Sequence, residues 1–86
     1  MAKTKRKSAS PRGATSVDKY IGARMRDSRL ALNMSQADLG KKLGVTFQQI
    51  QKYESGRNRI SAARLYVVCK TLNVSLSSMF ERELKA

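Results

Sequence analysis

The sequence predicts an all-α fold of five short helices, and three of its features carry that prediction. Large apolar residues recur three, four and seven positions apart, the spacing that gathers side chains on one face of a helix. No stretch alternates apolar and polar residues between hairpin turns, so no strand is expected. From the second periodic stretch onward, each opens on a serine or threonine, and Asn33, Gly44, Gly56 and Asn73 stand where stretches close. Those residue types satisfy the unpaired backbone groups at helix starts and ends.

The first helix is predicted over about 17–32. Ile21, Met25 and Leu32 lie four and seven apart, while Lys19, Arg24 and Arg26 fall largely off that face. Asn33 suits a left-handed cap, and Met34 should fold back as an apolar plug. Ser35 opens the second helix, with Asp38 in the first turn, where the helix dipole favours a negative charge. Leu39 and Leu43 form its inner face, Gly44 stops it, and Val45 tucks inward. Thr46 opens the third helix, with Gln49 three residues on in a capping-box pattern. Ile50 and Tyr53 share its inner face, and the helix ends at Ser55 and Gly56. After the polar basic loop Arg57-Asn58-Arg59, Ser61 caps a fourth helix along Leu65, Val68 and Leu72 that Asn73 closes. Ser75 opens a short fifth helix through Leu76, Met79 and Phe80.

Both ends read differently. Residues 1–16 carry Lys3, Lys5, Arg6, Lys7 and Arg12 with no acid, broken by Ser8, Ser10, Pro11 and Gly13. So few large apolar groups cannot offset the entropy of ordering, which predicts a flexible basic arm. Such an arm either tracks DNA phosphates or enters a minor groove, or is a solvated tail that adds solubility. One ordered domain is expected over 17–82, with 83–86 frayed.

Composition narrows the function classes. From 86 residues one domain with a small core is expected, without a separate ligand-sensing domain. Cys69 is the only cysteine and there is no histidine, which excludes an internal disulfide and a zinc-ligand set. Among Val67, Val68 and Leu72, Cys69 reads as a small buried apolar residue. No nucleophile–base arrangement is visible, so an enzyme is not expected, and neither a cofactor nor a small-molecule ligand. No apolar run approaches the ~20 residues needed to span a bilayer. No apolar stretch follows the N-terminal charges as a secretory signal requires. A cytoplasmic, nucleoid-associated protein is therefore expected. Eighteen Lys and Arg against six Asp and Glu, a net +12, point to a polyanionic partner, with nucleic acid ahead of an anionic membrane.

The segment 35–59 gives that charge a geometry. Two short helices join through a tight turn at Gly44-Val45, the second exposes a polar face, and a basic loop follows. This is the order of a helix-turn-helix, whose second helix lies in the major groove with its N-terminal side chains at base edges. Ile50 and Tyr53 dock the third helix, and Gln48, Gln49 and Lys52 are left for the groove. A glutamine amide can donate and accept in one plane, as adenine N6 and N7 require, and Lys52 can reach guanine or a phosphate. Phe47 either rests on a thymine methyl or staples the neighbouring turn. Gln49 is also claimed by the capping box, so Gln48 is the stronger base reader. For both glutamines the plain alternative is a solvated helix face.

The run Ile21-Gly22-x-Arg24-Met25-Arg26, then Arg29, Met34-Ser35-Gln36-x-x-Leu39, Gly44-Val45-Thr46, Ile50-x-x-Tyr53-Glu54-x-Gly56-x-Asn58 and Leu72-Asn73-Val74 resembles the Cro/C1-type helix-turn-helix family. The likeness spans about 17–80 and implies a lambda-repressor-like domain in which the second and third helices are the helix-turn-helix. It implies base contacts from Phe47, Gln48, Gln49 and Lys52. Backbone contacts are implied for Gln36, which also buttresses the recognition helix, and for Thr46, Arg57, Asn58 and Arg59. Arg29 and Glu54 match a partly buried ion pair, although Arg29 could instead be another phosphate contact. Two departures stand out: Gly40 replaces a usual alanine, and Ile60-Ser61 stands where a proline is common.

The resemblance also implies a homodimer on an inverted repeat of double-stranded DNA, regulating transcription. Tyr66, Leu76 and Phe80, with Ile60, are apolar candidates for its interface unless they complete the core. Two rival readings remain. One is an antitoxin-type autoregulator with a protein partner; the other is a nucleic-acid-binding protein that uses charge alone.

Overall fold

The computed structural model describes residues 16–81. Among them there are four α-helices: α1 (Ser16–Ala31), α2 (Gln36–Leu43), α3 (Phe47–Glu54) and α4 (Ala62–Leu72). A 3-10 helix, η1 (Leu76–Phe80), follows, and no strand occurs among the described residues. The basic residues Lys3, Lys5, Arg6, Lys7 and Arg12 lie outside the described residues, as do positions 83–86.

The caps fall where the residue types place them. Ser35, Thr46, Ser61 and Ser75 are N-caps in extended conformation, each accepting a backbone N–H three residues on. Asn33, Gly44 and Asn73 take the left-handed conformation at helix ends (φ 55°, 74° and 58°). Asparagine tolerates that region better than other side chains with a Cβ.

Three expectations are corrected. Ser16 is the first residue of α1, not the last of the arm. Leu32 is not on the inner face. The last turn of α1 tightens, with Leu32 N and Asn33 N donating to Arg29 O and Leu30 O at 3.1 and 3.0 Å. The chain then swings through Asn33, leaving Leu32 47% exposed while Met34 packs on the core. The fifth helix is the 3-10 turn η1. Its serines divert backbone groups: Ser75 Oγ accepts from Ser78 N at 3.2 Å, and Ser78 Oγ donates to Ser75 O at 2.6 Å. Local hydroxyl bonds of this kind compete with the α-helical ladder.

The core draws on every element. Met25, Leu39, Ile50, Val68, Leu72 and Met79 are fully buried, joined by Ile21, Leu43, Leu65 and Cys69. Burial pushes the Cys69 thiol up from its ordinary pKa. The buried stripe of α1 ends in polar residues, Ser28 and Arg29, because a charged partner waits for Arg29 across the core.

Two glycines permit close backbone approach. A Cβ at Gly22 would come within 2.6 Å of Glu54 O, so α1 crosses the end of α3 with almost no gap. A Cβ at Gly40 would meet Val45 O at 2.6 Å. The missing methyl at position 40 lets the turn fold back on α2, which offsets the ~0.5–1 kcal/mol that glycine costs inside a helix.

Candidate nucleic-acid interface

The site is built on α2, the turn and α3. Ser35 Oγ accepts from Asp38 N at 2.9 Å while Asp38 Oδ2 accepts from Ser35 N at 3.1 Å, a reciprocal box that fixes the start of α2. The bond from the Ser35 backbone N–H, then that from its side chain, holds the Asp38 carboxyl below the usual carboxylate range. The sequence suggested such a box at Thr46 and Gln49. There Thr46 Oγ1 accepts from Gln49 N at 3.1 Å, and the two-way form is the one at Ser35 and Asp38. At the far end of α2, Val45 N donates to Gly40 O at 2.9 Å, turning the chain sharply so that Val45 packs inward.

A buried ion pair sets the position of α3. Arg29 Nε and Nη2 donate to Glu54 Oε2 and Oε1 at 2.7 and 3.0 Å, and the side chains are only 6% and 3% exposed. Arg29 Nη1 donates to Met34 O at 2.7 Å, tying the same guanidinium to the link before α2. Gln36 Nε2 donates to Glu54 Oε1 at 3.1 Å. One carboxylate at the end of α3 thus joins α1 to the first residue of α2. The pairing accounts for Arg29 within the domain, leaving it no role at the surface.

With Ile50 fully buried and Tyr53 packed on the core, α3 turns its remaining side chains outward. Gln48, Gln51 and Lys52 are exposed, and Gln49 is half-buried. At about 100° per residue, Gln51 and Lys52 lie about 60° and 40° to either side of Gln48, whereas Gln49 is turned about 100° away. Gln48 therefore centres the outward face. Gln51 belongs to it too, and a wheel drawn from Ile50 could have found it. Phe47 is 45% exposed at the head of α3, while Ile50 lies in the core and Val45 packs against it.

Beyond α3, Gly56 (φ 79°) reverses the chain, and Asn58 N donates to Lys52 O at 3.2 Å. Arg57, Asn58 and Arg59 are exposed on this loop. The first turns of α1 lie against it. A Cβ at Gly56 would touch Lys19, and Arg59 Nε donates to Asp18 Oδ2 at 3.1 Å. No sequence signal linked Asp18 to Arg59 across 41 residues. The proposed interface residues divide: Tyr66 and Leu76 are 58% and 50% exposed, while Phe80 and Ile60 are partly buried against the core. Lys70 Nζ lies 5.6 Å from the centre of the Tyr66 ring.

Among the described residues, no group of three or more His, Cys, Asp or Glu could hold a metal ion, and no helix is long and apolar enough to cross a membrane.

A family model described as Helix-turn-helix matches residues 25–78. The chain is 53% identical over 64 residues to an uncharacterized transcriptional regulator in the ATPase CF(0) region of Rhodospirillum rubrum, covering 74% of this chain and 59% of that protein. It is 52% identical over 65 residues to an uncharacterized HTH-type transcriptional regulator of Sinorhizobium medicae, covering 76% of this chain and 47% of that one. The chain thus spans about half the length of the curated relatives it matches. Among solved structures, the P22 c2 repressor in complex with a synthetic operator superposes with a TM-score of 0.64 at 30% identity, covering 69% of this chain and 89% of the repressor.

Proposed function

The chain belongs to the Cro/C1 type of the helix-turn-helix family, a family of DNA-binding transcriptional regulators, and from that premise we propose that it reads a specific double-stranded DNA operator with α3. In this reading α3 lies in the major groove. Gln48 reads a base edge, Lys52 and Gln51 flank it, Gln49 reaches the groove from the side, and Phe47 rests against a thymine methyl. Helix α2 braces across the sugar–phosphate backbone with Gln36 and Thr46 at its margins. Arg57, Asn58 and Arg59 grip phosphates on the far side. The protein carries no catalytic function and works where the chromosome lies, in the cytoplasm at the nucleoid.

The observation that supports this best is the two-sidedness of α3. Ile50 and Glu54 fasten one side into the domain, while Gln48, Gln51 and Lys52 stand exposed on the other with a basic loop directly after them. A protein that bound by charge alone would need no amides there. The start of α1 lies against that loop. Lys3, Lys5, Arg6, Lys7 and Arg12 add to a net charge of +12, which favours a polyanion such as DNA as the partner of the basic N-terminal segment. Two copies, joined through Tyr66, Leu76 and Phe80, would read two half-sites of an inverted repeat about 34 Å apart.

In vitro selection of bound duplexes from a random pool tests specificity, palindromy and spacing together. The expected result is a two-fold consensus whose half-sites are centred about one helical turn apart. Enrichment without a consensus would replace this reading with nonspecific charge attraction.

A further inference from the structure

The Arg59 guanidinium is half in solvent, with 51% of its side chain exposed, whereas the Asp18 carboxylate that accepts from its Nε is only 14% exposed. Asp18 sits in the first turn of α1, where the helix dipole favours its charge, so it is a fixed acceptor on a rigid element. Arginine has five N–H donors in a planar fork. Asp18 takes the one nearest the stem, and about half of the Arg59 side chain remains exposed on the loop that follows α3.

We propose that Asp18 is a positioning residue for DNA binding: it holds the Arg59 guanidinium with its outer edge toward the DNA backbone. This rests on the reading of Arg59 as a phosphate contact. An acidic residue on a DNA-facing surface ordinarily weakens binding, because it repels phosphate. Here the carboxylate is mostly covered and accepts from the Arg59 guanidinium. A free arginine side chain loses rotamer freedom when it binds, at about 0.5–1.5 kcal/mol for each immobilised side chain. With Asp18 in place, that ordering is completed before DNA arrives.

The two effects of Asp18 have opposite signs, which makes them separable. If the carboxylate acts only as a charge, Asp18→Asn strengthens DNA binding. If it positions Arg59, Asp18→Asn weakens binding despite removing a negative charge, and does so only while Arg59 is present. The experiment is a double-mutant cycle of D18N, R59A and the double variant of the full chain. Affinity for a mixed-sequence duplex of about 30 base pairs, long enough for two half-sites one turn apart, is measured at several salt concentrations. Circular dichroism verifies the fold of each variant.

The expected result is an affinity loss of about threefold for D18N in the native background, and no loss or a gain when D18N is added to R59A. Asp18→Glu, whose longer stem displaces the carboxylate, is expected to restore binding only in part. A gain from D18N in both backgrounds overturns the positioning role while leaving Arg59 as a backbone contact. An R59A variant that binds as tightly and with the same salt slope as the native chain overturns the phosphate reading of Arg59, and the proposal with it. A variant whose fold is lost in place of its affinity would make Asp18 structural and also overturn the proposal.

Discussion

Gln48 and Arg57 are both exposed polar side chains near the same end of the domain, yet they are suited to different work. Gln48 is at the centre of the outward face of α3 and bears a group that can match the donor and acceptor pattern of one base. Arg57 is on the loop beyond it and bears a charge that any phosphate satisfies. The two substitutions should therefore separate in kind. Gln48→Ala is expected to cost about 1–3 kcal/mol of affinity for a selected operator and almost nothing on unrelated DNA. Arg57→Ala is expected to weaken both DNAs together and to reduce the slope of log affinity against log salt by about 0.9. Titrations of both variants on both duplexes decide the matter. Equal losses from Gln48→Ala on the two DNAs would take it off the base edge, and an unchanged slope for Arg57→Ala would take it off the backbone.

Between helices, the organising contact is the Glu54 carboxylate, which receives Arg29 on two nitrogens and Gln36 on a third. Removing one partner of such a buried pair strands the other charge, at a cost of about 3–5 kcal/mol. A small domain is stable by only about 5–15 kcal/mol in all. Glu54→Ala should accordingly lower Tm severely in thermal unfolding, and Gln36→Ala by much less, since it removes a single neutral donor. Similar small losses for both would mean that Ile50 and Tyr53 alone dock α3. At the head of α2, the carboxyl of Asp38 has its pKa depressed by the fold, so its ionised form is the stabilising one. Its contribution is complete above the ordinary carboxylate pKa and disappears as pH falls through the lowered one. The stability gap between the native chain and Asp38→Ala should therefore persist at neutral pH and close in acid below the usual carboxylate range. Chemical denaturation across pH checks this, and a gap that widens in acid would reverse the sign. These elements were legible in the sequence where the cause is local: serine or threonine before a helix, asparagine or glycine after it, and apolar spacing within it. The resemblance also named Arg29 and Glu54 as partners. What stayed hidden depends on packing from afar. Leu32 has the right spacing for burial, but α1 ends one residue too soon. Gly22 stands in the family-matching run, but the reason for it is not local, because the carbonyls of Tyr53 and Glu54 leave no room for a side chain. Asp18 and Arg59 meet only once α1 lies against the loop after α3.

At the scale of the whole molecule, recognition as proposed is limited by the length of α3. Eight residues at about 1.5 Å each give a rod about 12 Å long, which covers about four base pairs at 3.4 Å each. A sequence that short recurs far too often in a chromosome to mark one operator. Two copies reading together roughly double the word and add their affinities through one complex. For such pairing the proposed surface is the one with Tyr66 and Leu76, large side chains that stay exposed after the core is complete. On this reading, Leu76→Asp should leave the fold intact, since the side chain is half in solvent, while placing a like charge on each side of the two-fold axis. Sedimentation is expected to show a dimer for the native chain and a monomer for the variant. Affinity for a duplex with two half-sites should fall by about a hundredfold, the scale on which linking two sites raises avidity. Affinity for a duplex with one half-site should hardly change, because α3 itself is untouched. A native chain that sediments as a monomer both alone and on the two-half-site duplex would instead assign the whole of recognition to one α3 with its flanking basic groups, and Leu76 would have no part in it.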